Sequence, residues 1–180
     1  MAPPLCWTIA RRRLPSGGRT GRKISYAFSP EVKTSTSFKD AFADAFQWWS
    51  NKTTLNFTEM TSFNEADIQI MFLPLDGNLG VVGGAWFDNK TKKWNVVLDS
   101  DEKWVVQTED MKKSDDLYLE PEVIHQIGHV LGLNHSAIKQ DNMNPLIQTQ
   151  SSDGGGGGGV GLRWGLVSTL WLGVTLLFWL

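Results

Sequence analysis

His125-Gln126-Ile127-Gly128-His129-Val130-Leu131-Gly132-Leu133-Asn134-His135 contains all three histidines of the chain. A helix over Glu120 to Leu131 sets His125 and His129 four positions apart, on one face and a single turn from each other. Gly132 then stops that helix, because a residue with no Cβ readily enters the left-handed conformation that reverses the chain. His135 is thereby swung back toward the other two. Three neutral imidazoles suit a zinc ion in tetrahedral geometry with one position left open, the coordination of a catalytic rather than a structural zinc. Two histidines four apart on a helix are, by themselves, more often solvated or core side chains. The third, just after the glycine, shifts the balance to a metal site.

Downstream lies Asp141-Asn142-Met143-Asn144-Pro145. Together the two stretches closely resemble the matrixins, the matrix metalloproteinase branch of the metzincins, whose signature is H-E-x-x-H-x-x-G-x-x-H followed by a methionine turn. The members most similar are the membrane-anchored matrixins of plants. The resemblance implies zinc on His125, His129 and His135, with Met143 packed beneath them and Pro145 in the outer wall of a substrate pocket. Ordinary core packing would account for Met143 equally well. The implied fold is α+β, a twisted, mostly parallel sheet with an antiparallel edge strand, packed on helices.

One signature position departs. Gln126 stands where the family has the glutamate that takes a proton from the attacking water and passes it to the leaving amine. An amide has a similar shape but accepts no proton near neutral pH. The resemblance therefore implies a zinc metalloendopeptidase homologue that binds one zinc and an extended peptide, with hydrolysis impaired at Gln126. Two alternatives stay open: a slow but active endopeptidase acting on extracellular proteins, and a truncated member without function.

Working upstream, Ile24, Tyr26 and Phe28 alternate with Ser25 and Ala27 as in a half-buried strand. Thr36 or Ser37 is placed to cap a helix carrying Phe38, Phe42, Ala45, Phe46 and Trp49 at helical spacing, an aromatic stripe that reads as core. Leu55 to Met60 and Ile68 to Leu73 are two further strands. The segment from Asp76 to Phe87 resembles the family's loop and edge strand, so Val81, Val82, Gly83 and Gly84 are expected to line the peptide groove by β-augmentation. Gly84 and Val97 stand where the family has structural-zinc histidines, and that second zinc is expected to be lost. Asp76, Asp99 and Glu102 are similarly placed to the family's calcium ligands; an acidic turn facing water accounts for them as well.

The 180 residues are 41% hydrophobic, enough for one domain with a core. A net charge of -2 and a pI near 5.9 give no attraction to nucleic acid. A single cysteine, Cys6, excludes an internal disulfide framework. The expected organisation is an N-terminal segment over 1–21, a metallopeptidase-like domain over 22–150, a glycine-rich linker over 151–159 and a hydrophobic tail over 160–180. No N-terminal secretory signal is legible, and Pro4-Leu5-Cys6-Trp7 shares only its proline and cysteine with the family's latency motif. No closing helix is legible after the methionine turn. The tail resembles a glycosylphosphatidylinositol attachment signal, with a retained membrane anchor as the rival reading. Either places the domain at the extracellular face of the plasma membrane, where Asn51, Asn56 and Asn89 are glycosylation acceptors.

Overall fold

The computed structural model describes residues 21–32, 35–77, 80–106 and 116–145, together with the backbone of Ile147–Gln148 and Leu162–Arg163. The expectations for the N-terminal segment, the glycine linker, the missing closing helix and the hydrophobic tail lie outside those residues. Among the described residues, no helix is long and apolar enough to cross a membrane.

The main sheet has five strands: β1 (Arg22–Phe28), β2 (Leu55–Glu59), β3 (Ile68–Leu73), β4 (Gly83–Asp88) and β5 (Lys93–Asp99). They lie in the order β2-β1-β3-β5-β4. All neighbouring pairs are parallel except β4 with β5, so the sheet is mostly parallel and ends on an antiparallel edge, as the resemblance implied. A parallel pair needs a crossover, and α1 (Thr36–Lys52) supplies it between β1 and β2.

The cap of α1 differs from the sequence expectation. Ser35, not Thr36 or Ser37, is the N-cap: its extended backbone (ψ 163°) lets its hydroxyl accept from the Phe38 amide at 3.4 Å. Thr36 and Ser37 are already helical, and the Ser37 hydroxyl bonds that of Ser35 at 2.8 Å. The aromatic stripe is core as expected at Phe42, Ala45, Phe46 and Trp49, which are buried with Ala41, while Phe38 is partly buried against the core. Phe46 stacks on Tyr26 of β1 at 4.0 Å between ring centres, and Phe42 meets Phe28 edge-on at 5.0 Å. Each such ring contributes roughly 1.5–3 kcal/mol through burial.

β6 (Lys103–Val105) pairs in parallel with β7 (Asp116–Tyr118), which feeds directly into α2 (Leu119–Val130). This is the expected histidine helix, shifted by one residue at each end. It packs on α1, its Val123, Ile124 and Ile127 lying in the same buried core cluster as Phe42, Phe46 and Trp49, and the Trp49 indole donates to the Ile124 carbonyl at 3.0 Å. His125 and His129 are thus carried on an element held by the core.

Candidate metal centre

The end of α2 is built to return the chain. Gly132 adopts φ +88°, its amide donates to the His129 carbonyl at 2.9 Å, and the Leu133 amide donates to the Gly128 carbonyl at 3.0 Å. Those two bonds make a Schellman motif, in which a left-handed residue satisfies the last helical carbonyls. The reversal brings His135 back to the helix face that carries His125 and His129. Nε2 of His129 lies 3.0 Å from Nε2 of His125 and 3.1 Å from Nε2 of His135.

These contacts are not ordinary hydrogen bonds. Nδ1 of His125 is 2.8 Å from the Asn142 carbonyl, and Nδ1 of His129 is 2.9 Å from the Leu133 carbonyl. A carbonyl oxygen only accepts, so each Nδ1 carries the proton and each neutral ring offers a lone pair at Nε2. In the neutral Nδ1–H tautomers two lone pairs would face each other at 3.0 Å, an arrangement that a cation resolves. A tetrahedral zinc with bonds of about 2.0–2.1 Å needs donor atoms about 3.3 Å apart, close to the 3.0 and 3.1 Å from His129 to its two neighbours. Backbone carbonyls that orient ligating imidazoles are the usual outer support of such a site.

Electrostatics agree. Burial, first, and the neighbouring His125, second, push His129 down to about 4, although the Leu133 carbonyl acts in the opposite direction. His135, partly exposed, is lowered for the same two reasons. Both rings are therefore neutral at pH 7, the form that binds metal. Among the described residues, this is the group of histidine, cysteine or acidic side chains whose donor atoms converge, all within 4.8 Å.

Met143 is buried beside the helix. A Cβ added at Gly128 would overlap the Met143 sulfur and lie 3.2 Å from Trp49, so the methionine packs where α2 has no side chain, one residue before His129. Its loop is tied down by the Ser136 amide on the Met143 carbonyl (2.8 Å), the Met143 amide on Asp141 (2.9 Å) and the Asn144 side chain on the Ser136 carbonyl (3.1 Å). Pro145 follows, half-buried. The loop also supplies the Asn142 carbonyl that orients His125.

Gln126 is completely buried, and its Nε2 donates to Oε1 of Glu122 at 2.6 Å. Its own Oε1 has no hydrogen-bond partner among the described residues. Neither Glu122 nor the two orienting carbonyls were found from the sequence. A glutamate in the first turn of a helix reads as a dipole-compensating surface residue, and backbone carbonyls leave no residue-type signal.

The expected groove residues lie at the antiparallel edge. The Val82 carbonyl is taken by the Asp99 amide at 2.8 Å and its side chain is buried, while Val81 is half-buried in the approach to β4. With this register the backbone groups of Gly83, Ala85 and Phe87 face away from β5 along the sheet edge. Gly84 and Val97 are direct cross-strand partners, and neither offers a ligand atom. The three expected calcium carboxylates do not converge as the histidines do. Asp76 accepts from the Val81 amide at 2.9 Å, whereas Asp99 is completely buried with Oδ2 lacking a hydrogen-bond partner among the described residues, and Glu102 is buried in the turn after β5.

Comparison with known proteins agrees with this geometry. Residues 19–154 match the family model for Matrixin. The chain is 37% identical over 146 residues to Metalloendoproteinase 2-MMP of Arabidopsis thaliana, covering 75% of this chain and 38% of that protein. It is 35% identical over 135 residues to Metalloendoproteinase 1 of Glycine max, covering 69% of this chain and 43% of that protein. Karilysin of Tannerella forsythia is 30% identical over 123 residues, 62% of this chain and 25% of that protein. The chain thus spans about two fifths of the length of the plant relatives. With the three-histidine centre, the mostly parallel sheet and the family match in agreement, the chain belongs to the matrixin family.

Proposed function

We propose that this matrixin binds zinc and an extended peptide, and that its peptide hydrolysis is impaired at Gln126. The observation that carries the reading is chemical: the position of the family's proton acceptor is occupied by a buried amide whose NH2 is committed to Glu122. His125, His129 and His135 would hold the zinc, which when bound supplies a Lewis acid that polarises a peptide carbonyl. The outward-facing backbone of Gly83, Ala85 and Phe87 would pair with the extended peptide, a sequence-tolerant grip. Gln126 can accept a hydrogen bond at Oε1 but takes up no proton near pH 7. Loss of a positioned base removes roughly 100- to 10,000-fold in rate.

The test is metal analysis with peptide binding and turnover, measured beside Metalloendoproteinase 2-MMP under the same conditions. The reading expects one zinc per chain, retained peptide binding and turnover lower by about 100-fold or more. Turnover within about tenfold of the relative defeats it in favour of an active endopeptidase.

A calcium site would draw on Asp76, Asp99 and Glu102, of which Asp99 has a buried Oδ2 without a hydrogen-bond partner among the described residues. A rise in Tm on adding calcium that Asp99→Asn abolishes checks this. The proposal also places the domain at the extracellular face of the membrane through residues 160–180, with Asn51, Asn56 and Asn89 exposed as glycan acceptors must be. Release of the expressed full chain from cells by a phosphatidylinositol-specific phospholipase tests the lipid anchor, and persistence on the membrane contradicts it.

A further inference from the structure

Glu122 and Gln126 form a buried pair one turn apart on α2, with 5% and 0% of their surfaces exposed. Their 2.6 Å contact has a fixed sense. The Gln126 NH2 donates to Oε1 of Glu122, so the amide oxygen is turned away from it. That oxygen is buried and has no hydrogen-bond partner among the described residues.

Glu122 is also pressed against the edge strand. A Cβ at Gly83 would lie 3.3 Å from Oε1 of Glu122 and 2.9 Å from both the Leu98 side chain and the Val97 carbonyl. The bare backbone at Gly83 therefore leaves the carboxylate its room. A glutamate serving only the helix dipole does so from the surface. Burying a polar group is unfavourable unless a partner compensates; here the partner is the Gln126 amide.

We propose that Glu122 is the positioning residue for position 126. It orients the Gln126 amide as a fixed hydrogen-bond acceptor turned away from Glu122, and the two residues form one exchangeable acid–amide unit, so that a carboxylate at 126 requires an amide at 122. The activity arm of this inference rests on the zinc-peptidase reading; the stability arm does not. Gln126→Glu alone replaces the donor of the 2.6 Å contact with a second acceptor. Adding Glu122→Gln keeps the bond with donor and acceptor exchanged.

The experiment compares the parent, Glu122→Gln, Gln126→Glu and the double variant by urea unfolding of the zinc-free full chain at pH 7.5, then by peptide cleavage with zinc. The inference expects Gln126→Glu to raise the unfolding constant at least about tenfold and the double variant to return within about threefold of the parent. It also expects the double variant to cleave peptide at least about tenfold faster than Gln126→Glu. Additive effects on stability, or equal cleavage by those two variants, overturn it. Should Gln126→Glu not fold, the side-chain amide of Gln126 in the parent decides by NMR: protection from exchange that Glu122→Leu abolishes supports the pair, and an unprotected amide in the parent overturns it. Absence of zinc from all four proteins removes the zinc-peptidase reading, while the zinc-free cycle still decides the pair.

Discussion

Replacing Gly132 by alanine tests how the chain delivers its third histidine. At φ +88° an added Cβ costs roughly 1–2 kcal/mol, because the left-handed conformation crowds it against the backbone. Alanine also narrows the unfolded ensemble, which returns about 0.4–1 kcal/mol. Unwinding the motif would instead lose both backbone bonds, Gly132 to His129 and Leu133 to Gly128, at about 0.5–1.5 kcal/mol each. It would also take the Leu133 carbonyl from His129. Keeping the motif under strain is the smaller loss, so Gly132→Ala should destabilise the zinc-free protein by about 1 kcal/mol. That corresponds to a fall in Tm of about 3 °C. Zinc affinity should stay within about threefold, since the geometry survives, and Gly132→Asn should be milder because asparagine visits this conformation more readily. Urea unfolding with unchanged m-value, followed by zinc competition, gives both numbers. A loss below about 0.3 kcal/mol, or asparagine worse than alanine, would refute the assignment of strain to this residue.

Two further outcomes follow from the same centre. With His129 lowered to about 4 against an unfolded value near 6.5, the unfolded chain holds more protons between those limits. Zinc-free stability should therefore be fully present above about pH 6.5 and be lost as pH falls toward about 4, by about 1–2 kcal/mol after allowing for solvent screening of a partly exposed ring. His129→Phe should flatten that slope in urea unfolding. Gly128→Ala should destabilise despite the roughly 1 kcal/mol that alanine adds to a helix, because the new Cβ overlaps the Met143 sulfur and overpacking costs about 1–3 kcal/mol. Adding Met143→Ala should give a non-additive cycle, and simple additivity would contradict the contact.

Much of this was legible in residue types and spacing. The 3.6-residue period of Phe42, Phe46 and Trp49 gave α1 its buried face, and His125, His129, Gly132 and His135 gave the metal centre and its turn. What stayed hidden depends on backbone atoms or on burial. Ser35 caps α1 because its own backbone is extended, a choice that the run Ser35-Thr36-Ser37 leaves open. The carbonyls of Leu133 and Asn142 set the histidine tautomers, yet any residue could supply them. Glu122 stands in the first turn of its helix, where acids are common; only its burial beside Gly83 and its contact with Gln126 give it another role.

The most direct measurement is a zinc titration of the full chain with 15N-labelled histidine, read at the ring nitrogens by NMR. The account predicts saturation at one zinc per chain, with all three Nε2 resonances shifting to metal-bound positions while Nδ1 of His125 and His129 stay protonated. Saturation without one of the three rings, ligation through Nδ1 of His125 or His129, or no binding at all would contradict it.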